Sequence, residues 1–225
     1  MSTAAHDNSR SIDSYPLSRK IGFGMAACSA VFGLLYLFGV GLNLITSGSV
    51  YPSGSDVRLI SAVIALLWNL ALLILFVALR REAEPSREVL CEIALVFAIL
   101  TCGASCASWF AGLIVYPRLI QFSDPALAAL FDPYDGTSFA YALEHLGWGL
   151  FFGLASVFAG LALQPGWVRW SLLVTGVLGL GHFLGVILNQ EALIVLGYIS
   201  WGIALPISSA LLAGLFRRRQ KNQPL

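Results

Sequence analysis

The chain has 225 residues, a formal net charge of +1, 58% hydrophobic residues and only 11% charged ones. A water-soluble domain carries about 25% charged residues, and so small a polar fraction cannot cover a wetted surface. The near-zero net charge also excludes the basic face that a nucleic-acid partner needs, which leaves lipid as the natural solvent.

Crossing a bilayer takes ~20 mostly apolar residues. Six stretches qualify: 21–46, 57–79, 89–115, 137–163, 167–189 and 191–216. The expected fold is all-α, a polytopic membrane bundle of six transmembrane helices over 21–216. A disordered tail rich in Ser, Asp and Asn is expected over 1–20, and a basic tail over 217–225.

The first stretch follows Arg19 and Lys20, and Met25-Ala26-Ala27-Cys28 resembles a lipoprotein cleavage site. The apolar run continues far past Cys28, so a retained helix is the better reading. The second carries Trp68 and Asn69 at mid-span, where Asn69 reads as glue between helices. The third holds Gly103, Ala107 and Ala111 at four-residue spacing, with Ala104, Ser108 and Gly112 beside them. Small residues so spaced let helix backbones approach. Cys102 and Cys106 share a face there and read as packing residues, because buried free cysteine behaves as a small hydrophobe. None of the four cysteines lies in a segment placed outside the cell, so no disulfide framework is implied.

The segment 116–136 is the one long connection, acidic through Asp124, Asp132 and Asp135. Ser123-Asp124-Pro125 reads as a helix start with Pro at the first helical position. Ala126 to Phe131 would then form a short surface helix. The fourth stretch carries Gly149 and Gly153 and stops at Gln164-Pro165-Gly166. The fifth carries Gly181 and Gly185 and ends at the tight turn Asn189-Gln190-Glu191. The sixth carries Ala210 and Gly214, and Pro206 should kink it and free a carbonyl near residue 202. These small-residue faces read as contacts inside the bundle or as a route to a homo-oligomer.

Eleven Lys and Arg fall in one set of connecting segments and only Arg58 and Arg118 in the other. The eleven occupy alternate segments, as an even number of spans requires, so both termini are expected in the cytoplasm. The cell membrane is the expected location, the inner membrane if the source is bacterial. Short turns make consecutive helices antiparallel neighbours. Three helices starting inside and three starting outside match the layout of inverted-repeat transporters, without residue-level similarity between the halves.

Ionisable residues inside a span are costly and face the bundle interior or water. Glu144 lies seven residues below the outer start of the fourth stretch and His182 seven below the outer end of the fifth. Each is therefore ~10 Å deep. Equal depth on touching helices predicts a Glu144–His182 contact if both face inward. Helical spacing adds Tyr141 and Trp148 to the Glu144 face, and Asn189 to the His182 face. Trp109, also seven residues from an outer end, Tyr198 on the sixth helix and Asn43 on the first complete an expected pocket under 116–136. His145 points about 100° away from Glu144 on the wheel and lines the same cavity or sits at the headgroups. The pocket reads as a small-molecule site or a proton relay. The same residues can equally be interhelical glue inside an ordinary aromatic belt.

Phosphate-binding, dinucleotide, HExxH and Gly-x-Ser-x-Gly motifs are absent, and no span holds a lysine. No catalytic residue, metal or cofactor is assigned. The basic start before the first helix, the run Leu143-Glu144-His145-Leu146-Gly147-Trp148-Gly149 and the ending Phe216-Arg217-Arg218-Arg219 resemble uncharacterised six-helix bacterial integral membrane proteins of the domain-of-unknown-function kind. The resemblance is of size and pattern across most of the chain and implies no activity. The expected function is binding or translocation of a small molecule through the outer pocket. The alternatives are a membrane-embedded enzyme acting on lipid and a structural or assembly subunit.

Overall fold

The computed structural model describes residues 15–48, 50, 55–122 and 124–221. Seven helices account for nearly all of them. They are α1 (Tyr15–Ser47), α2 (Ser55–Arg80), α3 (Pro85–Gln121), the short α4 (Pro125–Ala129), α5 (Phe139–Ala162), α6 (Trp167–Leu188) and α7 (Glu191–Lys221). All but α4 are long and apolar enough to cross a membrane. No strand occurs among the described residues, so the protein is an all-α bundle with six candidate transmembrane helices.

Local chemistry sets the ends. Asp56 in the first turn of α2 and Arg80 in its last complement the helix dipole. The Asp124 carboxylate accepts from Leu127 N at 3.0 Å and caps α4, so the helix start read at Asp124-Pro125 forms, with Ser123 outside the described residues, and the helix ends at Ala129 rather than Phe131. Ser138 caps α5 by accepting from Tyr141 N at 2.8 Å. α6 stops at Asn189, whose φ of 51° is left-handed, a conformation Asn tolerates better than most residues.

Three boundaries differ from expectation: α3 runs on to Gln121, so 116–121 are helical rather than part of the connection. α1 begins at Tyr15, so 15–20 are helical rather than tail, and α7 runs on to Lys221. Hydropathy marks only the part of a helix that meets lipid, and polar contacts carry α1 and α7 beyond it. The buried Glu82 carboxylate accepts from Arg19 Nε at 2.8 Å and from Arg219 Nη1 at 2.7 Å. Arg19 Nη1 also donates to Arg219 O at 2.9 Å. This clasp joins both ends of the chain's helical part to the α2–α3 turn. The expected tail residues 1–14 and 222–225 lie outside the described residues.

The six long helices form a ring in sequence order, each packed chiefly on its two neighbours, with α7 closing onto α1. Small residues set the close approaches. A Cβ on Gly153 would come within 3.1 Å of Gly176 O, and one on Gly185 within 2.6 Å of Ile194 N. Gly149 and Gly181 likewise face Phe183 and Leu196. The remaining expected contact faces are corrected. Gly103, Ala107, Ala210 and Gly214 are exposed. On α3 it is the neighbouring row, with Ser108 buried, that turns inward.

The two ends of the bundle are filled differently. Toward the end carrying the clasp, Leu72, Leu75, Phe76, Leu79, Phe152, Leu172, Leu205, Leu212 and Phe216 make an aliphatic and aromatic core. Toward the opposite end the ring encloses space.

Candidate functional site

Four rings from four helices meet at the centre of the bundle. Tyr36 of α1, Trp68 of α2, Trp148 of α5 and Trp201 of α7 form a closed cycle. Successive ring centroids lie 6.1, 5.0, 6.0 and 6.5 Å apart. The three indoles are at most 8% exposed, so they are not an interfacial belt. Trp68 Nε1 donates to Ser29 Oγ at 3.0 Å and Trp148 Nε1 to Ser105 Oγ at 2.9 Å. These bonds fix both rings in the wall.

Above this floor lies a cavity of about 170 Å³. Asn43, Val57 and Ser61 flank it, Trp109, Tyr141, Glu144 and His145 line its sides, and Pro133 and Tyr134 cover it. The covering segment is tied down by Arg58, which donates to Asp132 Oδ2 at 3.1 Å and lies 4.7 Å from the centre of the Tyr134 ring. Tyr134 in turn packs edge-on against Trp109, centroids 5.5 Å apart. Burial pushes the Tyr134 phenol above its ordinary range, with Arg58 pulling the other way. Hydrogen bonds from Thr137 N and Oγ1 hold the Asp135 carboxyl below its usual range.

Glu144 and His182 do not pair, contrary to the expectation. Glu144 faces α3, where Oε2 accepts from Ser105 Oγ and Oε1 from Trp109 Nε1, both at 2.7 Å. Ser105 Oγ also accepts from Asn69 Nδ2 at 2.9 Å, so one hydroxyl joins α2, α3 and α5. His145, one residue on and about 100° round the helix, faces α6 instead. Its Nδ1 lies 2.6 Å from His182 Nε2, and His182 Nδ1 lies 2.8 Å from Ile194 O. A carbonyl can only accept, so His182 Nδ1 carries a proton. With both rings neutral, His182 Nε2 then accepts from His145 Nδ1, and His145 Nε2 is left as an acceptor.

Seven of the nine expected pocket residues line the cavity: Asn43, Trp109, Tyr141, Glu144, His145, Trp148 and Tyr198. His182 sits behind His145 in the wall, and Asn189 is an exposed helix cap. Sequence reasoning missed Ser105, although it lies four residues before Trp109 on the same face. It also left Tyr36, Trp68 and Trp201 out of the pocket.

Three helices change pitch at this level. Ala111–Val115, Leu146–Phe151 and Ser200–Ala204 are π-helical, wide turns closed by bonds five residues back, such as Leu205 N to Ser200 O. Two have a visible cause. Pro117 and Pro206 each stand two residues after the wide turn and lack the N–H that would satisfy Leu113 O and Gly202 O. The third contains Gly147 and Gly149. Wide turns of this kind recur at functional sites, and two of these contribute a ring to the cavity, Trp148 in α5 and Trp201 in α7.

The chemistry available is limited. Ser105 reaches Glu144, but its side chain is fully buried and already holds three partners, so no substrate carbon can approach it. Among the described residues no three His, Cys, Asp or Glu side chains gather as metal ligands. The site defines a class: a six-helix, membrane-type bundle with an aromatic-floored cavity and a carboxylate in its wall. Comparison with protein-family models, curated proteins and solved structures finds no match.

Proposed function

We propose that this chain is an integral membrane protein that binds or translocates a small molecule through the cavity, with the clasp end in the cytoplasm and the cavity in the outer half. The observation that carries the reading is the cavity itself. It is central to the bundle, floored by four interlocked rings and bordered by the wide turns of α5 and α7. The arginine asymmetry supports the orientation. Binding is favoured over proton relay, because the His145–His182 chain ends on Ile194 O, which has no proton to pass on. Passage to the other side would require the four rings to separate.

The test fills the cavity. Gly39 lines it, and a Cβ there meets nothing within 4 Å, so Gly39→Leu adds volume without a clash on its first carbon. Compounds that raise the thermal stability of the purified protein should fail to do so in Gly39→Leu. At a hundredfold excess over Kd the lost stabilisation is about 2.7 kcal/mol. Equal stabilisation of both proteins would place the ligand elsewhere and sink the proposal.

A further inference from the structure

We infer that the cavity takes a small organic cation of the alkylammonium class, its charge on Glu144 and its carbon shell against the aromatic floor. This rests on the cavity being a ligand site. Three independent features carry it.

The first is charge. Glu144 is the one carboxylate among the described residues lining the cavity, and none of those residues is Lys or Arg. Its two oxygens are held by neutral donors, Ser105 Oγ and Trp109 Nε1. A carboxylate has about four lone-pair sites, so it can accept further donors. No basic side chain pairs with it among the described residues. A carboxyl in such a wall takes its charged form only at a cost, and a bound cation offsets that cost by pairing with it.

The second is the balance of donors and acceptors. The indole N–H groups of Trp68, Trp109 and Trp148 are spent inside the wall, and of the four lining indoles Trp201 alone keeps an unpartnered N–H. Glu144 keeps lone pairs, and His145 keeps Nε2 because its Nδ1 is committed to His182. Two open acceptors, with no Lys or Arg beside them, suit a ligand that donates or carries positive charge, and one neutral indole N–H is a weak counterpart for an anion. Aromatic rings add to the same preference, since their faces carry the negative part of the quadrupole.

The third is size. A cavity of about 150 Å³ holds a benzene molecule, so about 170 Å³ here suits a cation the size of tetramethylammonium or choline. The same trimethylammonium chemistry occurs free in solution and on choline lipid headgroups.

The test compares choline with 3,3-dimethylbutan-1-ol, which has the same shape and no charge. The full chain is placed in phosphatidylglycerol nanodiscs and tryptophan fluorescence is followed. Choline should give a saturable change at a concentration at least about tenfold below that needed for the alcohol. In Glu144→Gln that advantage should disappear. Adding phosphatidylcholine to the disc separates the sources: weakened choline binding assigns the site to a lipid headgroup, and unchanged binding to a free cation. Either outcome supports the class. Equal affinity for choline and the alcohol overturns the cation assignment while leaving the cavity as a ligand site. A saturable choline signal unaffected by Glu144→Gln overturns the role of Glu144. No saturable signal from either probe overturns the assignment outright, and the Gly39→Leu screen then judges the cavity separately.

Discussion

Ser105→Ala removes one oxygen that holds three groups, and its cost can be worked from the geometry. The hydroxyl accepts from Asn69 Nδ2 and Trp148 Nε1, both at 2.9 Å, and donates to Glu144 Oε2 at 2.7 Å. Asn69 keeps its second amide hydrogen on Ala65 O, so alanine strands one amide N–H, one indole N–H and one carboxylate oxygen. In a water-soluble core each orphaned donor costs ~1–3 kcal/mol. Between membrane helices the measured value is nearer ~0.6 kcal/mol per bond, because the unfolded chain in lipid also finds partners. Three bonds at that value give about 2 kcal/mol. Ser108→Ala is the internal control, because Ser108 Oγ makes one bond, to Ala140 O at 2.7 Å. Unfolding by detergent titration in mixed micelles, followed by far-UV circular dichroism, should show a loss about threefold larger for Ser105→Ala. Equal losses at the two positions would refute the hub.

Other expectations test separate parts of the fold. Glu82→Ala leaves Arg19 and Arg219 without their buried partner; because Arg219 is partly exposed, the loss should fall near about 3 kcal/mol, at the low end for a broken buried pair. Thermal denaturation checks this, and a loss below about 1 kcal/mol would dissolve the clasp. Gly197→Ala puts a methyl against the His182 ring and should destabilise by about 1–3 kcal/mol, whereas an unchanged melting temperature would show that the ring has room. Tyr134 has its folded pKa raised above an ordinary value of 10.0, so the unfolded chain releases that proton first. Its contribution to stability is present below about pH 10 and is lost as pH rises above it. Tyr134→Phe should accordingly flatten the alkaline side of the stability profile, and an unchanged slope would contradict the burial of that phenol.

What could be read in advance followed from solvent physics. Apolar runs marked the six long helices, and turn chemistry marked Asp124 and Asn189 as helix punctuation. Depth also worked, since residues seven from an end do share a layer: Trp109 and Glu144 meet there. Partner choice was not legible. α5 touches both α3 and α6, and the sequence does not say whether Glu144 or His145 turns to which. The 15–20 extension was hidden for a related reason, because its stabilising partners, Glu82 and Arg219, lie 63 and 200 residues away along the chain. Pro206 signalled its wide turn, and Pro117 carried the same signal beside Val115 and went unread.

The wide turns have a consequence for how this molecule can vary. Each amounts to one inserted residue, which advances the helical phase by about 100° relative to an uninterrupted helix. In α5 and α7 the stretch facing the cavity and the stretch facing the aliphatic core are therefore out of step with one another. A substitution pattern tuned for packing at the clasp end places no demand on the face presented above the rings. The lining can drift toward another ligand while the scaffold beneath it keeps its own periodicity. Deleting a single residue that does not line the cavity from the wide turn of α5 or α7 would rotate the lining away from the cavity without touching any residue that lines it.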